Sequence, residues 1–247
     1  MAQRRAVRSA LADAFPAGSR LLEIGGGTGD DAYWLVERGR EVLLTDASAA
    51  MVRVAAAKLD GLPGARTALA SAERLDLLAA SRAAKGRLPF DGAYSNFAAL
   101  NCVADLRPFA HGLARLVRPG GAALLVVFGT MCPGEIVVEA IRGRRANMFR
   151  RRARAAVTAR LSGREFEIRY HRASELAAAM APGFELRGRK GIGVFVPPSA
   201  AEPWISRHPR LVSGLETLDR LASSPLAIFG DHILYHFVRT DAGFREP

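Results

Sequence analysis

Apolar residues gather in five short runs over the first half of the chain, near residues 20–24, 41–45, 65–70, 91–96 and 122–128. The stretches between them return to apolar positions every three to four residues. That alternation predicts strands joined by helices, and crossovers of one hand give a mainly parallel sheet covered on both faces. Residues 2–15 have the spacing of an amphipathic helix, and Leu75 to Arg87 forms an extra helical or loop turn before the fourth strand. Past Gly129 the pattern loosens. The Cys132-Pro133-Gly134 turn introduces a helix near 135–142, Glu165 to Tyr170 is strand-like, and Ser174 to Ala181 is a helix that Ser174 can cap. Phe184 to Val196 predicts a sixth strand bent around Gly188 and Gly191, and Ile233 to Val238 a seventh. Between them, Pro197 to Gly230 reads as a helical excursion carrying Trp204, Leu211, Leu215, Leu218 and Leu221.

The first strand runs into Glu23-Ile24-Gly25-Gly26-Gly27-Thr28-Gly29-Asp30, an acid and alternate glycines at the point where a buried strand becomes a helix. Glycines there permit dihedral angles and a close backbone approach that a Cβ would forbid, which marks a nucleotide-type cofactor loop. A dinucleotide fingerprint requires G-x-G-x-x-G, and Asp30 stands where its third glycine belongs, so the loop argues against NAD or FAD. The E-x-G-x-G-x-G spacing instead resembles the first motif of the class I S-adenosylmethionine-dependent methyltransferases. Later segments resemble that family's motifs in the same order. Asp46 to Met51 is similar to its D-x-S-x-x-M turn, and Ala70 to Leu75 occupies the place of G-D-A-E-x-L. Phe90 to Phe97 resembles the fourth strand, and Leu113 to Gly121 the L-x-x-L-L-x-P-G-G turn before the fifth. The likeness spans residues 20 to 128.

The resemblance implies a Rossmann-like, doubly wound seven-stranded α/β sheet, mostly parallel with an antiparallel last strand, and helical cap insertions. Residues 1–247 would form one domain, with 1–128 as the cofactor-binding half and 129–182 and 197–230 as substrate or cap insertions. S-adenosyl-L-methionine would lie outside the carboxyl ends of the strands, where the strand order reverses between the first and fourth. The resemblance assigns it the backbone of Gly25, Gly26, Gly27 and Gly29, the Asp46 carboxylate for its ribose, and Ala47 and Met51 beside its adenine. Ser71, with Ala72, stands where the family has an Asp that reaches the adenine amino group. Asn96 ends the fourth strand, where it contacts cofactor or substrate or satisfies only its own turn. Glu23 orients the cofactor's amino group, directly or through water, or caps a helix. Because the sixth strand ends at the cofactor-facing edge, the 197–230 excursion is expected to cover the active site.

Composition narrows the setting. The chain of 247 residues, 49% hydrophobic, can bury one sizeable core. Its longest apolar run, Ala122 to Phe128, falls far short of the ~20 residues that span a bilayer. Arg4-Arg5 suggests an export signal, but Asp13 and Pro16 interrupt the apolar stretch such a signal needs. Cys102 and Cys132 have neither disulfide-framework nor metal-type spacing, and a cytoplasmic location is expected. The net charge of +11 is largely local, since Arg142, Arg144, Arg145, Arg150, Arg151, Arg152 and Arg154 carry seven of those charges with no acid among them. That cluster reads equally as a solvated helix face or as an anion site.

Methyl transfer from a sulfonium is an in-line displacement that depends first on alignment. If the acceptor is a hydroxyl, a base helps, and His232, at the start of the seventh strand beside Asp231, is the preferred candidate, although a histidine there more often only satisfies local backbone at a strand start. His171 is the second candidate, and His111 reads as a helix-surface residue. His232 and His236 lie four residues apart on a strand, ~13 Å between backbones, and no metal is expected. The expected function is methylation of an O, N or C atom of a small molecule. The apolar and aromatic residues Met131, Phe149, Phe195, Trp204 and Phe229 favour an enclosed pocket for it. An RNA-modifying enzyme using the arginine cluster is the alternative, although Ser95-Asn96-Phe97-Ala98 replaces the Asn/Asp-Pro-Pro-Tyr/Phe motif of such enzymes. A non-catalytic S-adenosylmethionine-binding protein is the other.

Overall fold

The computed structural model describes residues 2–84, 89–97, 99–161, 164–198, 201 and 204–241. All five early strands are present: β1 (Arg20–Ile24), β2 (Glu41–Asp46), β3 (Ala65–Leu69), β4 (Phe90–Ser95) and β5 (Val117–Phe128). A hairpin of β6 (Val157–Leu161) and β7 (Arg164–Ile168) stands apart from the main sheet, which β8 (Phe184–Ile192) and β9 (His232–Arg239) complete. The order is β3-β2-β1-β4-β5-β9-β8. The first five strands are parallel, and β9 inserts antiparallel between β5 and β8.

Helices α1 (Ala2–Ala14), α2 (Asp30–Val36) and α3 (Ala49–Leu59) bury Val7, Leu11, Leu35 and Leu59 against one face of the sheet. Helices α4 (Leu75–Ala84), α5 (Leu106–Leu116) and α7 (Ala173–Met180) cover the other with Leu75, Phe109, Leu113, Leu176 and Met180. Outside these layers lie α6 (Pro133–Ile141), α8 (Trp204–Arg207) and α9 (Pro209–Ala222). Among the described residues no helix is long and apolar enough to cross a membrane. The exposed edge strand β8 carries Glu185, Arg187, Arg189 and Lys190, charges that discourage edge-to-edge pairing.

Four local expectations change. Ser174 does not cap α7; Arg172 holds that position, and the Glu175 carboxylate reaches back to accept from the Arg172 backbone N–H at 2.8 Å. β5 begins at Val117, which pairs with Phe90 ahead of the Pro-Gly-Gly bend, so the strand starts five residues before its apolar run. β8 stops at Ile192, because Gly193 adopts φ +70° and turns the chain away; the expected irregularity near Gly188 is present as a register shift against β9. The arginine cluster is not a helix face but two short 3₁₀ turns. Of the extra turn before β4, Lys85 to Arg87 lie outside the described residues, as do Ala98 and, within the 197–230 excursion, residues 199, 200, 202 and 203.

Candidate active site

The glycine loop leaves β1 beside the ends of β2 and β4. Gly27, at φ +55°, has open space where a Cβ would project, and its N–H donates to the Asp46 carboxylate at 2.9 Å. The other Asp46 oxygen accepts from the Ser48 N–H at 2.8 Å, so one side chain ties the glycine loop to the turn after β2. Gly25 is needed for another reason: a Cβ there would meet the Ala99 side chain at 2.2 Å, where the segment after β4 closes onto the loop. Met51 is exposed, and Ser48 caps α3 by accepting its N–H at 3.4 Å. Ser71 plays the same part after β3, accepting from the Glu73 N–H at 3.2 Å. The Glu73 carboxylate also accepts from the Ala104 N–H at 3.5 Å, which ties the segment after β4 to the end of β3; burial, then the Asp46 and Glu73 charges, push the Cys102 thiol up there. Ala47, Met51, Ser71 and Ala72 thus border the same strand ends as Asp46.

Behind the loop lies a charged cluster that the sequence does not announce. Asn96 donates to Asp31 at 3.1 Å, Arg8 donates to the other Asp31 oxygen at 2.8 Å, and Arg4 donates to Asp30 at 2.7 Å. Lys58 also pairs with Asp30, and with Arg4 holds that carboxyl down at about 2. Arg4 and Arg8, four residues apart, share one face of α1, the only sequence signal for them. Glu23 is buried under Gly26 next to the Tyr94 hydroxyl. Burial first, and the Asp31 charge second, push its carboxyl well above the usual range. Glu23 Oε2 and Asn96 Oδ1 are buried polar atoms without hydrogen-bond partners among the described residues. Open space before Gly27 and an unpartnered Asn96 acceptor at the reversal of strand order suit a polar ligand with a hydrogen-bond donor.

At the ends of β4 and β5 and the start of β9 an aromatic layer surrounds His232. Its ring lies 4.8 Å from Phe128 and 5.6 Å, edge-on, from Phe97, and Phe128 is 5.8 Å from Tyr170. Phe97 is the one non-glycine residue with positive φ among the described residues, at 49°, a strain of ~1–2 kcal/mol. His232 Nδ1 lies 3.4 Å from the Asp231 carboxylate without a well-formed hydrogen bond. Asp231 also accepts from Gln3 of α1 at 3.0 Å and from Arg151 at 2.5 Å. Burial would raise its pKa, but His232 and Arg151 hold it well below the usual carboxylate range. Arg151 is buried, bound also to Glu135 of α6 and to the Asp231 carbonyl at 2.7 Å, so the arginine cluster is not one solvated patch.

His171 is differently engaged: its Nε2 faces the carbonyls of Val103 at 3.0 Å and Leu100 at 3.2 Å, a backbone-satisfying role. His111 lies half-buried on α5. Helix α9 packs on α1 and β8, where Glu216 pairs with Arg5 and Asp219 accepts from the Phe195 N–H at 2.6 Å. The excursion therefore leans on the helix whose first turn supplies Gln3 and Arg4. Gln3, Arg4, Arg8, Phe97, Phe128 and Arg151 were not anticipated, because each reaches the site through a partner distant in sequence.

A family model described as a methyltransferase domain matches residues 22–123, from β1 into β5. Among curated proteins none matches the chain. Solved structures share the fold at low identity. An S-adenosylmethionine-dependent methyltransferase from Mesorhizobium loti is 20% identical, with a TM-score of 0.58 over 97% of this chain and 98% of that one. A protein from the conversion of a disulfide bond into a thioacetal group during echinomycin biosynthesis is 21% identical, with a TM-score of 0.56 over 97% and 82%. The [4+2]-cyclase SpnF is 17% identical, with a TM-score of 0.57 over 96% and 81%. The glycine loop, the strand order and the matched segment agree: residues 22–123 match a methyltransferase domain, and the chain as a whole shares the fold of S-adenosylmethionine-dependent methyltransferases.

Proposed function

We propose that this protein transfers a methyl group to an oxygen, nitrogen or carbon atom of a small molecule. The observation that carries the reading is the His232 layer: an imidazole between Phe97 and Phe128, backed by a carboxylate, at the strand ends beside the glycine loop. Bound S-adenosylmethionine supplies a methyl group on a cationic sulfur. In this proposal the glycine loop, Asp46 and Asn96 hold the cofactor, with Ala47, Met51, Ser71 and Ala72 along its adenine. Phe97, Phe128 and Tyr170 exclude water and align the acceptor. His232 accepts the acceptor's proton, and Asp231, fixed by Arg151 and Gln3, faces the imidazole. The α8–α9 excursion serves as the cover, acting through α1.

Small-molecule chemistry is favoured by the aromatic rings of Phe97 and Phe128 packed on His232, and by the fold shared with the echinomycin protein. The shared fold of a [4+2]-cyclase keeps a second reading open, cofactor binding without transfer. The test is incubation with methyl-labelled S-adenosylmethionine and fractionated extract. Label in a low-mass product with equal release of S-adenosylhomocysteine, lowered ~10²–10⁴-fold by His232→Ala with cofactor affinity unchanged, supports the proposal. Label confined to RNA, or cofactor binding with no methyl consumption, defeats it.

A further inference from the structure

Helix α6 is turned inside out. An amphipathic helix on a globular protein normally buries its apolar stripe and exposes its charges. Here Glu135 and Glu139 are 4% and 5% exposed, whereas Val137 and Ile141 are 57% and 82% exposed. The cause lies in the segment that follows. Arg150 and Arg151 bind Glu135, Asn147 donates to Glu139 at 3.1 Å, and Arg142 lies 3.7 Å from the Glu139 carboxylate. Both carboxylates are consumed on the inner side, which leaves the outer side apolar. Phe149, 54% exposed, adds to it. Arg144, Arg145, Arg152 and Arg154 are exposed nearby and make no ion pair among the described residues, and residues 142–164 contain no acid.

We propose that α6 and the arginine segment 142–154 bind an anionic lipid surface. Interfacial helices combine an apolar face that enters the acyl boundary with cationic side chains that reach the head groups. Nucleic acid would reward the arginines but not the exposure of Ile141 and Val137. A second copy of this chain would bring the same cationic surface against itself. An anionic bilayer complements both features. Through Arg151 the segment is also tied to Asp231, so the docked face would hold the His232 layer near the membrane. The proposal does not depend on methyl transfer.

Flotation of the full chain with phosphatidylcholine vesicles, with and without phosphatidylglycerol, tests it. The expected result is binding to the anionic vesicles only, weakened by salt. Each arginine near such a surface is worth about a 5-fold factor, so Arg144→Gln, Arg145→Gln and Arg152→Gln together should lower partitioning roughly 100-fold. Val137→Ser with Ile141→Ser should also lower it, at an unchanged melting temperature, since both side chains face solvent. The absence of flotation, or equal binding by the variants, overturns the proposal. So does a dimer that dissociates on Ile141→Ser, or RNA binding in place of vesicle binding.

Discussion

Asp46 performs two tasks with one carboxylate, fixing the glycine loop through Gly27 at 2.9 Å and the following turn through Ser48 at 2.8 Å. Hydrogen bonds to a charged group contribute ~1.5–3 kcal/mol each. Asp46→Ala should therefore weaken S-adenosylmethionine binding by ~10–100-fold in calorimetry, with the fold retained. Glu23 presents the opposite situation, a carboxyl raised well above 4.5 by burial and by Asp31. A raised carboxyl favours the folded state while protonated. Its contribution is complete below the ordinary value of 4.5 and is lost as pH rises through the folded-state value. Glu23→Gln, which imitates the protonated form, should thus raise stability at neutral pH and leave it unchanged near pH 4. Denaturant titrations at both pH values measure this, and an equal change at both would show a packing effect instead.

Among elements, α6 and the start of β9 are joined by a single buried cation. Arg151 is 8% exposed at its side chain and neutralises Glu135 and Asp231, themselves 5% and 6% exposed. Removing one partner from such a group strands buried charge, at ~3–5 kcal/mol. Arg151→Ala should cost that much, whereas exposed Arg152→Ala should stay within ~0.5 kcal/mol. Equal losses in thermal denaturation would show that the cluster acts as an undivided surface. The same contrast explains why the run of arginines misleads as a sequence feature. Burial separates Arg151 from its neighbours, and nothing in its local spacing distinguishes it. Helix α7 offers a smaller case, in which Ser174 and Glu175 both carry capping chemistry and only backbone geometry selects Glu175.

For the whole molecule, the sheet with one reversed strand gathers both halves of the site at one edge. A ligand at ~100 times its dissociation constant adds ~2.7 kcal/mol to stability. For a chain of this size that is roughly 5–11 °C in melting temperature, expected with S-adenosylmethionine or S-adenosylhomocysteine and not with NAD. An equal rise with NAD and none with S-adenosylmethionine would contradict the cofactor assignment.

By itself the sequence determined the strands of the cofactor half, the glycine loop and the order in which the elements follow one another. Those features are encoded locally: short apolar runs between turn residues specify buried strands, and glycines mark where backbone must pass close to backbone. It also determined which side of α1 is apolar and that His232 follows Asp231. Only the tertiary structure decided what stands opposite them. Gln3 meets Asp231 across 228 residues of chain, Arg151 meets it across 80, and Asn96 meets Asp31 across 65. Periodicity fixes which face of an element turns inward but not which charge it encounters there. Burial of Arg151, the inverted faces of α6 and the aromatic layer around His232 follow from packing among distant segments, where a buried charge must find its partner or be excluded.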